Sequence, residues 1–129
     1  MLCLTAGVLT AALAWDGFTL AWTHSIEKIR WEEDYAVQGQ VLLLTEARVR
    51  GSGAGMEPPE GARLDEQGVW HYVPKLPPLP VLRITQSAYT AGYELCHAGR
   101  CQVLPDLLPG VPDGVVEIAP CPSSAEAPP

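Results

Sequence analysis

Prolines and glycines recur along this chain at intervals that leave little room for a long helix. The 129 residues include thirteen prolines and twelve glycines. Proline is excluded from helix interiors and central strands, and glycine favours turns, so this density predicts short strands joined by turns. Hydrophobic residues make up 47% of the chain and charged residues 18%, which is typical of a folded domain. We therefore expect an all-β fold, a single compact small barrel or sandwich of about nine short, mostly antiparallel strands.

This predicted domain spans residues 1–121. The remaining residues, 122–129, are proline, serine, alanine and glutamate only. Such a segment has little to bury, so we predict a disordered C-terminal tail. The chain is one domain in length, and no internal repeat or linker separates two cores.

Residues 1–14 admit two interpretations. Their apolar run and the small residues at Ala12-Leu13-Ala14 suggest a signal peptide, but no lysine or arginine precedes the run, and it is short. We favour a β-hairpin, with strands Leu2–Thr5 and Val8–Leu13 around an Ala6-Gly7 turn.

The stretch from Phe18 to Tyr35 joins a clear strand to a dense polar segment. Apolar and small or polar residues alternate over Phe18–Ile26, which is the period of a half-buried strand. Six of the ten residues from Ile26 to Tyr35 are charged. We expect a functional site where this strand enters the polar segment.

Further strands follow from the same reasoning. A second alternation begins at Ile29, and the VLLL run that opens Val41–Val49 predicts a strand at the centre of a sheet. The PKLPPLP segment at 74–80 is predicted to cross between sheets as extended chain. The remaining predicted strands are Val69–Val73, Val81–Thr85, Tyr93–Cys96, Cys101–Leu104 and Val115–Ile118.

The four cysteines predict two disulfides. Cys96 and Cys101 flank a four-residue segment, and either a two-residue or a four-residue turn there brings them within bonding range. Cys3 and Cys121 remain and would tie the two ends of the domain together. Zinc is the alternative, but this spacing makes a poor tetrahedral set. Disulfides imply an oxidising compartment, so we lean towards the periplasm or cell envelope, although residues 1–14 are not a clear leader.

The charge pattern excludes several partners. The net charge is −7 and no basic block exists, so neither nucleic acid nor an anionic membrane surface is an expected partner. No stretch approaches the ~20 apolar residues of a membrane-spanning helix. We expect no membrane span.

Catalysis has weak support in the sequence. His24 and Ser25 are neighbours on an extended strand and point to opposite faces, and Ser52 lacks the nucleophile-elbow pattern. We therefore assign no catalytic residue and lean against an enzyme. A metal site from His24, Glu27 and either Glu32 or Glu33 is a possible ligand set for zinc or manganese. We favour the alternative that these charges form a solvated salt-bridge lattice, and we assign no metal and no cofactor.

The four tryptophans offer a similar choice. They could line an apolar pocket with a polar rim, but such residues more often belong to the core, which is the interpretation we favour. They are Trp15, Trp22, Trp31 and Trp70.

Two motifs together resemble a known bacterial family, domain of unknown function 1850. Its pattern combines H-S-V-E-K, a following W/V-E-E and a G-x-G-A-G loop. Here these read His24–Lys28, with Ile26 in place of valine, Trp31–Glu33 and Gly51–Gly55. The resemblance covers about residues 2–104, and it implies that the first segment is the domain's own hairpin.

The resemblance also implies a role. Family members are encoded beside TAXI-type TRAP solute transporters, which implies an accessory function in solute uptake at the cell envelope. We expect a non-catalytic accessory or ligand-binding protein whose partners are transporter components or a small solute; the alternatives are a metal-dependent His/Glu enzyme and a purely structural interaction domain. The candidate ligand-binding residues are His24, Ser25, Glu27, Glu32, Gly53, Gly55 and Met56.

Overall fold

Two antiparallel β-sheets pack face to face in the computed structural model, which describes residues 1–23, 29–50, 61–89 and 92–122. The predicted all-β fold is confirmed as a sandwich, with eleven strands in the described residues instead of about nine. Of the predicted tail, residues 123–129 lie outside the described part. The elements are β1 (Leu2–Ala6), β2 (Leu9–Leu13), β3 (Gly17–Thr23), β4 (Arg30–Gln38), β5 (Val41–Arg50), β6 (Arg63–Leu64), β7 (Val69–Tyr72), β8 (Leu82–Gln86), β9 (Glu94–His97), β10 (Arg100–Val103), α1 (Leu104–Leu107) and β11 (Gly114–Pro120).

The four-stranded sheet has the order β2-β1-β11-β8, and the seven-stranded sheet has the order β10-β9-β3-β4-β5-β7-β6. The predicted N-terminal hairpin is present, and its first strand is internal because β1 pairs with both β2 and β11. Its turn lies at Gly7-Val8, one residue beyond the predicted Ala6-Gly7. Glycine suits this turn because Gly7 has a φ of +60°.

The core lies between the two sheets and follows the alternation along each strand. Leu2 and Leu4 are fully buried on the inner face of the four-stranded sheet, and Phe18 and Leu20 are buried on the facing strand β3. Burying a leucine or phenylalanine side chain contributes about 1.5–3 kcal/mol. The outward residues of β3, beginning with Thr19, are left to build the opposite face of the seven-stranded sheet.

A β-bulge in strand β5 changes which alternate residues of the strand face the core. Leu42 and Leu44 pack towards the core, whereas further along the strand the buried residues are Ala47 and Val49. The register with β4 shifts between Asp34 and Tyr35, so Thr45 is the extra residue. The predicted central position is confirmed, because β5 lies between β4 and β7.

Both predicted disulfides are present. Cys3 bonds to Cys121 across a sequence separation of 118, and Cys96 bonds to Cys101 across a separation of 5. Cys96 and Cys101 are paired in register, and the turn that joins their strands consists of Ala98 and Gly99. This is the two-residue alternative. Both turn residues have positive φ, 52° and 81°, as a type I′ turn requires.

Two connections lead from the seven-stranded sheet to the other. Residues 74–80 cross from β7 to β8 as predicted, and Leu79 forms two backbone hydrogen bonds with Leu42 on the way. The second connection contains α1, a single helical turn that the sequence interpretation missed. It begins with Leu104-Pro105, and Leu104 is fully buried. No described helix is long and apolar enough to cross a bilayer.

Candidate functional site

A continuous network of charged side chains covers the outer face of the seven-stranded sheet. Strand parity places these side chains there, because the residues between them point into the core. Their side chains are between 20% and 35% exposed. This charged network consists of Glu94, Arg30, Glu32, Arg48, Asp34, Glu46, His71 and Asp65.

Arg48 lies at the centre of the network. Its Nη1 and Nη2 donate to the two carboxylate oxygens of Asp34 at 2.6 and 2.7 Å, and its Nε donates to Glu32 at 3.0 Å. The hydrogen bonds to Asp34 are the main cause that raises the pKa of Arg48. Burial by itself would raise the pKa of Asp34, but the bonds from Arg48 and from the Thr19 hydroxyl lower it overall. Arg48 therefore holds two neighbouring carboxylates in their charged form.

Arg30 extends the network towards β9. Its Nε donates to Glu32 at 3.0 Å and its Nη1 donates to Glu94 at 2.9 Å. Although burial lowers the pKa of Arg30, the hydrogen bonds to Glu94 and Glu32 raise it overall. These bonds join β4 to β9 across the intervening strand β3.

His71 closes the network at the other edge of the sheet. Its Nδ1 contacts Glu46, and its Nε2 lies 2.7 Å from Asp65. Ionised carboxylates accept hydrogen bonds but cannot donate them, so both ring nitrogens must carry protons and His71 is an imidazolium. The hydrogen bonds that His71 donates to Asp65 and then to Glu46 raise its pKa.

Asp65 is bound at both of its oxygens. Its second oxygen accepts backbone N–H bonds from Gln67 at 2.8 Å and from Val69 at 3.0 Å. The His71 hydrogen bond and these backbone bonds lower the pKa of Asp65 to about 2. The β6–β7 turn is thus fastened to β5 through an imidazolium between two carboxylates.

Glu32 is the one candidate ligand-binding residue that the structure describes. Its two oxygens accept bonds from Arg48 and Arg30, both at 3.0 Å. Burial raises the pKa of Glu32, but these two arginines lower it overall. Each oxygen of this carboxylate thus already accepts one hydrogen bond from an arginine. Within the described ranges no group of three or more His, Cys, Asp or Glu residues is placed to hold one.

Glu33, the other carboxylate considered for metal binding, points to the inner face. The Tyr35 hydroxyl donates a hydrogen bond to it at 3.0 Å. Burial is the main cause that raises the pKa of Glu33, and burial with the neighbouring Glu33 charge raises that of Tyr35. Glu32 and Glu33 therefore cannot serve one site, because they lie on opposite faces of β4.

Aromatic residues cover the inner face near Glu33. Trp22 and Trp31 are opposed in register and stack with ring centroids 6.1 Å apart, and Trp22 also contacts Tyr93 at 5.7 Å. Trp15 stacks on His97 at 4.7 Å. Trp15 and Trp22 pack against the core, as the favoured interpretation of the tryptophans predicted.

The other candidate ligand-binding residues lie outside the described residues. They are His24, Ser25, Glu27, Gly53, Gly55 and Met56. The end of the predicted strand Phe18–Ile26, residues 24–26, also lies outside the described residues.

The points at which these two segments join the sheet are described, and they lie together. Thr23 at the end of β3 pairs with Arg30 at the start of β4. The next row aligns Trp22 with Trp31 and Trp31 with Val49, one residue before β5 ends at Arg50. Both ends of residues 24–28 and the beginning of residues 51–60 therefore join the seven-stranded sheet at the same end, which we call the motif end.

The motif end carries a cationic recess on its outer face. A cavity of about 250 Å³ is lined by Arg30, Glu32, Arg48, Arg50 and Val69. Arg50 is exposed, whereas the other two arginines are held by carboxylates.

The sequence interpretation missed Arg48, His71 and Asp65 as members of one cluster. Glu46 and Arg48 are two residues apart on one strand and so share a face, which was the available signal. It did not show which strands would be neighbours, so it could not bring β5 and β7 against β4.

Comparison with known proteins gives one match. The family described as domain of unknown function (DUF1850) matches residues 18–104. The matched segment starts at Phe18, after the N-terminal hairpin that the resemblance had included. No curated protein matches the chain, and no solved structure does. Because the match spans most of the chain, including both signature motifs, this protein belongs to the DUF1850 family.

Proposed function

We propose that this chain is a non-catalytic accessory or ligand-binding domain of a bacterial TRAP-type solute transport system. The transporter association follows from the family resemblance. The two disulfides support a location in an oxidising compartment, the periplasm or cell envelope.

The proposed ligand site is at the motif end of the seven-stranded sheet. The observation that carries this proposal is that residues 24–28 and the beginning of residues 51–60 attach next to the row of Trp22, Trp31 and Val49. Two segments that leave one sheet end in succession are suited to enclose a small solute between them. The proposed contacts are His24, Ser25, Glu27, Glu32, Gly53, Gly55 and Met56.

The state of the charged groups supports binding in preference to catalysis. Glu32 and Asp34 are neutralised by arginine, and His71 uses both ring nitrogens on carboxylates. General acid–base catalysis needs a group that is free to exchange a proton with a reacting molecule. The charged network instead forms a preorganised face.

Solute uptake and solute binding test this proposal. We expect a His24→Ala/Glu27→Gln variant to lower uptake through the adjacent transporter and to lose the solute-induced rise in melting temperature. Glu117→Gln is the matched control, because the Glu117 side chain is 44% exposed on the other sheet and Arg83 is its one ion-pair partner in the described part of the chain. Unchanged uptake and unchanged solute binding at matched protein level would contradict the proposal. Stoichiometric bound metal that disappears in His24→Ala would favour the metal-dependent enzyme instead.

A further inference from the structure

A cleft opens at the edge of the seven-stranded sheet where β6 ends. Strand β6 pairs with β7 only at Arg63–His71 and Leu64–Trp70. Tyr72, the residue of β7 that follows His71, has no partner on this edge of the sheet among the described strands. The resulting cleft, the His71 cleft, has a volume of about 640 Å³. This volume falls within the ~300–1,000 Å³ of small-molecule sites.

Two cations from separate segments meet at the His71 cleft. Arg63 comes from β6 and Lys75 from the connection to the other sheet, and both line the cleft and are exposed. Neither forms an ion pair with any described residue. Within the described ranges, both charges therefore face the cleft without an acidic partner.

The other charged groups of the cleft largely compensate one another. Glu46 contacts His71 through one oxygen, and its second oxygen lies 3.8 Å from Arg48. The imidazolium of His71 is matched by Glu46 and Asp65. Counting only the residues that the structure describes, Arg63 and Lys75 are the uncompensated charges of the cleft, in a chain whose net charge is −7. A concave surface concentrates such a local reversal of sign.

The cleft also has an apolar wall. Val73 lines it and is 67% exposed, and the half-buried Tyr72 is also among the residues that line it. Apolar side chains combined with a few converging polar groups are typical of sites for small organic molecules. An inorganic anion would contact only the cations and would leave the apolar wall unused.

From this arrangement we propose that the His71 cleft binds a small organic anion through Arg63 and Lys75, with its apolar body against Tyr72 and Val73. A carboxylate suits this pair, because arginine binds it with two parallel hydrogen bonds and lysine adds a point charge. The lining includes Gly61, which directly follows residues 51–60. The proposal rests on Arg63, Lys75 and Val73, so it stands whether or not residues 24–28 bind a solute.

Titrations of the full chain, followed by amide NMR shifts, test the proposal. Benzoate is the probe, and benzamide, its uncharged isostere, and inorganic phosphate are the comparisons. We expect benzoate to shift the amides of Tyr72 and Val73, and to bind more tightly than either comparison. Added salt weakens this binding, because the cations are exposed.

Charge-neutral variants complete the test. We expect Arg63→Gln and Lys75→Gln each to weaken benzoate binding roughly two- to tenfold, the range of exposed charge-assisted contacts. Arg100→Gln is the matched control, since Arg100 is an exposed arginine in a hairpin on the far edge of the sheet. Both cleft cations are exposed, so the variants should keep the wild-type spectrum elsewhere.

The inference would be overturned by an absence of benzoate-dependent shifts in the cleft, by equal binding of benzamide, or by wild-type affinity in an Arg63→Gln/Lys75→Gln double variant. Equal binding of phosphate would also overturn it, since the apolar wall would then play no part. The His24→Ala/Glu27→Gln variant should bind benzoate normally. The uptake defect tests the proposed function and the benzoate affinity tests the His71 cleft, so either proposal can fail while the other stands.

Discussion

Arg48 and Asp34 form a bidentate ion pair across β4 and β5, with nitrogen–oxygen distances of 2.6 and 2.7 Å. They are diagonal neighbours, because Arg48 is directly opposite Glu32 in the register. Arg48 reaches both carboxylates at once, and the Thr19 hydroxyl supports Asp34 from β3 at 2.6 Å. This pair links three strands on the outer face.

Removing Arg48 should destabilise the protein substantially. We expect Arg48→Gln to lower the free energy of unfolding by about 2 kcal/mol, because it leaves two partly buried carboxylates without a cation. Arg48→Lys should recover only part of this loss, since lysine cannot form the two parallel hydrogen bonds. Chemical denaturation at neutral pH measures both effects.

A surface pair supplies the control for this prediction. Arg83 and Glu117 are 62% and 44% exposed, so Arg83→Gln should change the free energy of unfolding by less than about 1 kcal/mol. Comparable losses in Arg48→Gln and Arg83→Gln would show that the charged network adds nothing beyond ordinary surface pairing.

Glu33 should cost stability once it ionises. Burial raises its folded-state pKa above the unfolded value, so its contribution is most favourable at low pH and declines as pH rises through the folded pKa. We expect Glu33→Gln to raise the melting temperature at neutral pH and to have a smaller effect at about pH 4, where glutamate is largely protonated. Thermal unfolding at both pH values checks this. A stabilisation that is equal at the two would contradict it.

His71 differs from Glu33, because the folded state stabilises the charged form of its side chain. Its folded pKa is raised, so its contribution is complete below the unfolded value of about 6.5 and is lost as pH rises through the folded pKa. Asp65, with a folded pKa of about 2, contributes above its unfolded value and loses this contribution as pH falls towards 2. The contact is therefore strongest between roughly pH 4 and 6.5.

The test compares His71→Gln with wild type across this range. We expect the difference in melting temperature to be largest near pH 5.5 and to shrink by pH 9. A difference that does not vary with pH would show that the imidazolium charge is not what holds Asp65.

The two disulfides should contribute unequally. The loop closed by Cys3–Cys121 has a sequence separation of 118, against 5 for Cys96–Cys101. The chain-entropy relation then gives upper values of about 5 kcal/mol for the terminal bond and about 2 kcal/mol for the hairpin bond. Serine pairs at each position, compared by denaturation, should follow this order.

A thiol titration of the native protein accompanies that comparison. We expect no free thiol, since all four cysteines are bonded. Four titratable thiols would contradict both disulfides and the oxidising compartment proposed from them.

Much of the fold was predictable because local patterns carry it. Alternation identified β3 and β4, and adjacent residues of such a strand, here Glu32 and Glu33, occupy opposite faces. The paired cysteines followed from their spacing around a turn. The two-residue strand β6 and the single helical turn α1 were missed, because elements so short have no period to detect.

The candidate site was predictable only in part. Glu32 was selected as a ligand-binding residue, but the structure shows its carboxylate between Arg30 and Arg48. The sequence determined which face each side chain occupies, since strand parity is a local property. Only the tertiary structure decided that His71 would reach Glu46 and that Arg48 would reach Asp34, because strand order and the bulge at Thr45 depend on contacts between residues far apart in the chain.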